Sequence, residues 1–219
     1  MNKLLMHPAA KPLIFLLCLG PFAWLVYGAL ADALGANPAE ALVRSTGDWT
    51  LRFICIVLAV TPLRVVSGWN GLARFRRMFG LFVYFYVLLH LFCYSWFDMG
   101  LDIGEIVKDI AKRPFILVGF AAFVLLTPLA ATSFNKAIKA LGARRWQMLH
   151  KLVYLIAGLG LLHFFWMRAG KNNFNEVFIY AGIIAALLLW RVWYAFVGKQ
   201  RKQAQALAAA QARKARPAA

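Results

Sequence analysis

Hydrophobic residues are clustered in six long, continuous stretches, and charged residues, glycine or proline separate one stretch from the next. Each stretch is close to the roughly 20 residues that a helix needs to cross a bilayer core of ~30 Å. Polar residues do not recur at every second position, which argues against a transmembrane β-barrel. The pattern therefore predicts an all-α integral membrane protein, a six-transmembrane-helix bundle with spans at about 13–30, 49–66, 78–97, 115–132, 150–167 and 177–197.

The composition leaves little chain for anything besides this bundle. Hydrophobic residues make up 63% of the 219 residues, and the connections between the stretches are short. We predict one membrane domain over residues 1–198 and a basic cytoplasmic tail over residues 199–219, and no separate soluble catalytic domain. The first stretch also resembles a signal peptide, but its apolar run is longer than the usual core of roughly 7–15 residues, so we interpret it as a helix.

The charged residues predict the orientation of the helices. Lys and Arg collect before the first span, between the second and third, between the fourth and fifth, and after the sixth, which all fall on one side. Cytoplasmic loops carry such an excess, so both termini are predicted to be cytoplasmic. The other side carries every acidic residue: Asp32, Glu40, Asp48, Asp98, Asp102, Glu105, Asp109 and Glu176. Topology and anionic lipid headgroups thus account for the net charge of +17, without nucleic acid as a partner.

Two histidines inside the apolar stretches are the strongest indication of chemistry. His90 lies thirteen residues beyond Arg77 in the third span, and His163 lies thirteen residues beyond His150 in the fifth. At ~1.5 Å per residue, both reach about 20 Å from the predicted cytoplasmic boundary. A lone buried histidine is usually a packed core residue, but no carboxylate lies within these stretches to pair with two of them. Their matched depth predicts the two axial ligands of one heme.

The inner ends of the same spans carry weaker candidates. His150 is either a solvated residue, or a ligand of a second heme or a contact to a flavin or propionate. The matching position on the third span holds Arg76 and Arg77 instead of a histidine. Arg77 and Arg145 near the inner boundary, and Arg52 and Arg168 near the outer one, are candidates to neutralise propionates or a flavin phosphate. Snorkelling toward the headgroups is the alternative explanation for these arginines.

Other motifs narrow the chemistry further. The three cysteines, Cys18, Cys55 and Cys93, are isolated in different spans, so neither covalent heme attachment nor an iron–sulfur cluster is supported. A weak internal repeat is visible, because Thr-Pro-Leu ends the second span at residues 61–63 and the fourth at residues 127–129. Duplicated hairpins that pack together would bring the two Leu-Leu-His segments face to face.

The segments RRMFGLFVYFYVLLH (residues 76–90) and RRWQMLHKLVYLIAGLGLLH (residues 144–163) closely resemble the MsrQ (YedZ) family, as does the Thr-Pro-Leu-Arg after the second span. The resemblance covers the whole chain. It implies a ferric-reductase-like membrane domain in the bacterial inner membrane, with one or two hemes b and, by family likeness alone, FMN. Electrons would come from a cytoplasmic flavin reductase or the quinone pool, and would pass to a periplasmic molybdopterin-containing methionine sulfoxide reductase subunit that repairs oxidised envelope proteins.

The residues themselves show no G-x-G-x-x-G motif and no self-contained substrate site, so we expect an electron-transfer subunit and not an enzyme in its own right. Two other classes stay open. A small-solute transporter usually needs polar or charged groups at mid-membrane, and no carboxylate lies there. A cofactor-free scaffold or assembly subunit would use the histidines only for packing.

Overall fold

The computed structural model describes residues 1–170 and 172–214, and every regular element within them is helical. The α-helices are α1 (Asn2–Met6), α2 (Ala10–Leu30), α3 (Pro38–Ser67), α4 (Arg76–Cys93), α5 (Ile103–Lys112), α6 (Pro114–Ala131), α7 (Asn135–Leu141), α8 (Ala143–His150), α9 (Leu152–Ala169) and α10 (Asn175–Lys214). A 3-10 turn at Asn70–Phe75 precedes α4, and a π-helical turn at Tyr94–Asp98 follows it.

Six helical segments among the described residues are long and apolar enough to cross a membrane. They are Ala10–Leu30, Pro38–Ser67, Asn70–Asp98, Pro114–Ala131, Ala143–Ala169 and Asn175–Gln205. Large apolar side chains such as Leu17, Trp24 and Leu189 are exposed on the outside of the bundle, where lipid would cover them. The predicted six-helix membrane bundle is confirmed, while the cytoplasmic placement of both termini remains a prediction. We call the end where α3, α6 and α10 begin the outer end, and the opposite one the inner end.

Two helices extend well beyond their predicted apolar spans. Helix α3 begins at Pro38, because the Asn37 side chain accepts a hydrogen bond from the backbone N–H of Glu40 at 3.1 Å and caps the first turn. At the other end of the bundle, α10 continues to Lys214, so residues 199–214 of the predicted tail are helical. Residues 215–219 of that tail, with Arg216, lie outside the described residues.

The bundle is organised around two helical hairpins. Helix α3 packs along α4, and α6 packs along α9. Helix α10 covers α3 and α9, while α2 lies at the edge against α3 and α4. The largest fully buried side chains are Tyr86, Phe75, Leu58 and Ile156. Tyr86 stacks on Phe53 with ring centroids 5.2 Å apart, which joins the two helices of the first hairpin.

At two prolines inside the apolar helices, Pro21 and Pro62, polar side chains from neighbouring helices bind nearby backbone groups. Beside Pro21, the Tyr86 hydroxyl accepts from the backbone N–H of Phe22 at 3.1 Å and donates to the carbonyl of Cys18 at 2.8 Å. Pro62 has no N–H to offer the carbonyl of Leu58, four residues earlier, and a guanidinium nitrogen of Arg191 donates to that oxygen at 2.6 Å. Neighbouring helices thus satisfy backbone groups that lipid could not.

Candidate functional site

The structure brings His90 and His163 together between the two hairpins. His90 lies on α4 and His163 on α9, and their ring centroids are 6.1 Å apart, with the ring planes at 76°. When two imidazoles share a metal at about 2 Å from each nitrogen, their ring centroids are separated by roughly 6 Å. The observed separation therefore fits one metal held between the two rings.

Backbone carbonyls fix the orientation of both rings. His90 Nδ1 lies 2.9 Å from the carbonyl oxygen of Val43, and His163 Nδ1 lies 2.7 Å from that of Phe115. A carbonyl oxygen only accepts, so each Nδ1 must be the donor and carry the hydrogen. The neutral tautomer then leaves the Nε2 lone pair of each ring for a metal, which is the outer-shell arrangement found for metal-ligating histidines.

Each imidazole also rests against a glycine of the facing helix. A Cβ placed on Gly47 of α3 would lie 3.1 Å from His90 Cε1, and one on Gly119 of α6 would lie 2.8 Å from His163 Nδ1. Each glycine follows, by four residues, the carbonyl that binds the same ring, Val43 or Phe115. The absence of a side chain at these positions lets the helix backbone approach the ring closely. The two hairpins thus seat their histidines in the same way.

A cavity of about 310 Å³ adjoins the two rings. Its volume is at the lower end of the range for small-molecule sites, about 300–1,000 Å³. Toward the inner end its walls are apolar, formed by side chains such as Ile54, Leu126 and Ile156. Its charged lining residues are all at the outer end: Arg44, Asp48, Asp98 and Arg113.

The donor set also fits a heme better than a bare metal ion. Within the described residues, no group of three or more His, Cys, Asp or Glu side chains is placed to hold a metal ion. Two imidazoles complete the coordination of an iron whose other ligands come from a porphyrin. Cys18, Cys55 and Cys93 are free thiols and do not line the cavity.

His150 is not brought to this site. It lies at the inner end, does not line the cavity, and its Nε2 is 3.2 Å from the hydroxyl of Thr132. The Trp146 ring packs on the imidazole with centroids 4.0 Å apart, and its indole N–H donates to the Thr132 carbonyl. In this structure the Nε2 of His150 is therefore already hydrogen-bonded to Thr132, whereas the Nε2 atoms of His90 and His163 are left for a ligand.

The four arginines named from the sequence also lie outside the cavity lining. Arg77 donates to the Asn135 side chain at 2.7 Å at the inner end. Arg52 donates to the Tyr180 hydroxyl at 3.1 Å and packs over the Trp49 ring, and Arg168 pairs with Glu176. The arginines that do line the cavity, Arg44 and Arg113, were missed, and so were Gly47 and Gly119. Only the packing of the helices reveals these four residues.

Comparisons with known proteins point the same way as this geometry. A family model described as the ferric reductase like transmembrane component matches residues 46–161. The chain is 76% identical over 201 residues to the protein-methionine-sulfoxide reductase heme-binding subunit MsrQ of Polaromonas naphthalenivorans, with 92% of each chain covered. Identity to the protein of the same name is 53% in Herminiimonas arsenicoxydans, over 90% of each chain, and 44% in Caulobacter vibrioides, over 83% of this chain and 85% of the relative. No solved structure matches the chain.

Proposed function

The chain belongs to the MsrQ family, which has a ferric-reductase-like transmembrane component, and from this premise we propose that it is the heme-binding, electron-transferring membrane subunit of a protein-methionine-sulfoxide reductase. The family predicted from the histidine-bearing segments is confirmed. The chain is a multi-pass protein of the bacterial inner membrane. The observation that carries the proposal is the 6.1 Å separation of His90 and His163, with both Nδ1 atoms bound to carbonyls.

In this proposal the residues of the chain hold and orient the heme, and the heme supplies the redox chemistry. When bound, a heme b provides reversible one-electron transfer at its iron. His90 and His163 would hold the heme iron through their Nε2 atoms, and the carbonyls of Val43 and Phe115 would keep both rings in the tautomer that can ligate. The apolar walls of the cavity exclude water from the site.

The charge distribution suggests the direction of electron transfer. A reduced donor would bind at the basic inner end, and the acceptor would bind at the acidic outer end, near the histidine pair. The donor in this proposal is a cytoplasmic flavin reductase or the quinone pool. The acceptor is a periplasmic reductase subunit with a molybdopterin centre, which contains the catalytic site for methionine sulfoxide. The chain itself acts as the electron-transfer subunit.

The inner end remains the proposed location of a second cofactor, either another heme or FMN. His150 and Arg77 are the candidate residues there, as a ligand and as a partner of an acidic group. Both side chains are engaged in this structure, His150 with Thr132 and Arg77 with Asn135. Binding at this end would require these hydrogen bonds to be exchanged for contacts with the cofactor.

The absorption spectrum of the purified full-length protein tests the proposal. We expect a dithionite-reduced b-type heme band that is lost in His90→Ala and in His163→Ala, because either change removes an axial nitrogen. His7→Ala is the matched control, since His7 is exposed at the inner end and its imidazole accepts a hydrogen bond from the backbone N–H of Ala9. A pyridine hemochrome assay gives the heme per chain. Partial loss of the band in His150→Ala would support a second heme, and identical spectra in the wild type and all variants would favour a scaffold.

A further inference from the structure

The cavity beside the histidine pair has one charged end and one apolar end. Arg44 lies in the second turn of α3, and Arg113 immediately precedes α6, so both are at the outer end. The inner part is lined by aliphatic and aromatic side chains. A porphyrin of the b type has the same asymmetry, because its two carboxylates extend from one edge and the rest of its periphery is apolar.

Each hairpin contributes one of the two arginines, next to the residue that orients its histidine. Arg44 follows Val43, whose carbonyl binds His90, and Arg113 comes two residues before Phe115, whose carbonyl binds His163. The backbone segments that carry the two arginines are therefore the ones that orient the two rings. Two cations and two carboxylates also match in number.

Hydrogen bonds from buried groups hold Arg113 in place. Its Nε donates to Asp109 Oδ1 at 2.7 Å, and Asp109, only 9% exposed, accepts at its other oxygen from the Tyr94 hydroxyl at 2.6 Å. Tyr94 lines the cavity four residues after His90. Arg44 is paired with Glu40 one turn earlier on the same helix. A guanidinium has five N–H donors, so one carboxylate partner leaves donors for another anion.

Two carboxylates of the chain face the same end of the cavity. Asp48 and Asp98 line it, and Asp98 lies within electrostatic range of both Arg113 and Glu40. An anion seated there would be repelled by these aspartates and must be attracted by the arginines. Bidentate hydrogen bonds to a guanidinium are the strongest attraction available to a carboxylate.

We propose that Arg44 and Arg113 bind the two porphyrin carboxylates, so that the heme is seated with its charged edge toward the outer end of the bundle. The proposal rests on the heme-binding function above and specifies the residues that orient the cofactor. Arg52 and Arg168, the outer arginines named from the sequence, do not line the cavity and are not assigned this role.

Reconstitution of the heme-depleted full-length protein in detergent, with hemin and with hemin dimethyl ester, tests this assignment. The ester has the same iron and ring but no carboxylates. We expect the wild type to bind the ester roughly ten- to a hundredfold more weakly, since hydrogen bonds to charged groups contribute about 1.5–3 kcal/mol. The double variant Arg44→Gln/Arg113→Gln should bind both porphyrins equally well. Arg52→Gln, on the same helix as Arg44, is the control and should keep the wild-type preference.

A redox titration provides a second measurement on the same samples. Loss of a nearby positive charge stabilises the ferric state, so the midpoint potential should fall further in Arg44→Gln and in Arg113→Gln than in Arg52→Gln. If the double variant does not fold, Asp109→Asn replaces it, and it should reduce the preference for hemin because Arg113 loses its support. No preference in the wild type, or a full preference in the variants, would overturn the assignment. Failure of both porphyrins to give a bis-histidine spectrum in the wild type would instead overturn the heme-binding function.

Discussion

The contrast between the two histidines and their surroundings shows what individual residues reveal in a sequence. His90 and His163 could be paired from the sequence because depth along a helix is a matter of counting residues. The carbonyls and glycines that contact the two histidine rings could not be predicted from the sequence, because these contacts depend on which helices face each other. Gly47 and Gly119 have no distinguishing feature among the 16 glycines until the packing of α3 and α6 is known.

The two glycine contacts lead to a graded prediction. Gly119→Ala should weaken heme retention most, because its Cβ would lie 2.8 Å from His163 Nδ1 and the ring must shift away from Phe115. We expect a cost of about 1–3 kcal/mol, the usual range for overpacking. Gly47→Ala, with a 3.1 Å approach to His90, should have a smaller effect.

Gly158→Ala is the matched control for this series, since Gly158 lies on α9 and a Cβ there meets nothing within 4 Å. It should retain heme fully and favour the helix by about 0.5–1 kcal/mol. Heme per chain and the low-spin spectrum measure the series. Equal retention in the Gly119 and Gly158 variants would contradict the close seating of His163.

At the scale of the helices, the apolar stretches predicted how many helices cross the membrane but not where each begins. Helix α3 starts eleven residues before its predicted span, at Pro38 and not at residue 49, because the cap at Asn37 lies in a polar segment that hydropathy does not register. The role of Arg191 was also not predictable. Arg191 lies within the last apolar stretch, and its partner, the Leu58 carbonyl left free by Pro62, is on another helix and can be identified only from the structure.

The pairing of Arg191 with the Leu58 carbonyl predicts a specific interaction between two substitutions. Arg191→Leu should destabilise the bundle by about 1–3 kcal/mol, because it leaves a carbonyl without a partner inside the membrane. In a Pro62→Ala background the new N–H of residue 62 can bind that carbonyl, so the same change should cost less. Thermal unfolding in detergent of the four proteins of this cycle measures the difference. Additive effects of the two substitutions would show that Arg191 does not replace the missing N–H.

For the molecule as a whole, the sequence predicted the bundle and its family but left the arrangement of the hairpins to the structure. The repeated Thr-Pro-Leu and Leu-Leu-His segments indicated two related hairpins, and α3–α4 and α6–α9 are those hairpins. That the cavity between them would be charged at one end only could not be predicted, because it depends on how the outer ends of α3, α4 and α6 converge.

The distribution of charge predicts the orientation of the whole bundle in the membrane. A fluorescent protein fused after Ala219 should fold and fluoresce, and alkaline phosphatase at the same position should be inactive, because the C-terminus is predicted to lie in the cytoplasm. Alkaline phosphatase joined after Gly170, at the outer end, should be active. An active phosphatase at the C-terminus would reverse the predicted topology and, with it, the proposed direction of electron transfer.

The position of the histidine pair near one membrane surface has an energetic consequence. Phe115, which binds His163, is the second residue of α6, so the pair lies close to the outer end. An electron that enters at the inner end crosses most of the membrane's electric field to reach it. When an electron moves from the negative interior to the outer side, its electrostatic free energy falls by about 2.3 kcal/mol for each 100 mV that it crosses. With the predicted orientation and the donor at the inner end, as proposed, electron delivery to the reductase subunit would be electrogenic, and dissipating the membrane voltage with an ionophore should slow it even when the donor is abundant.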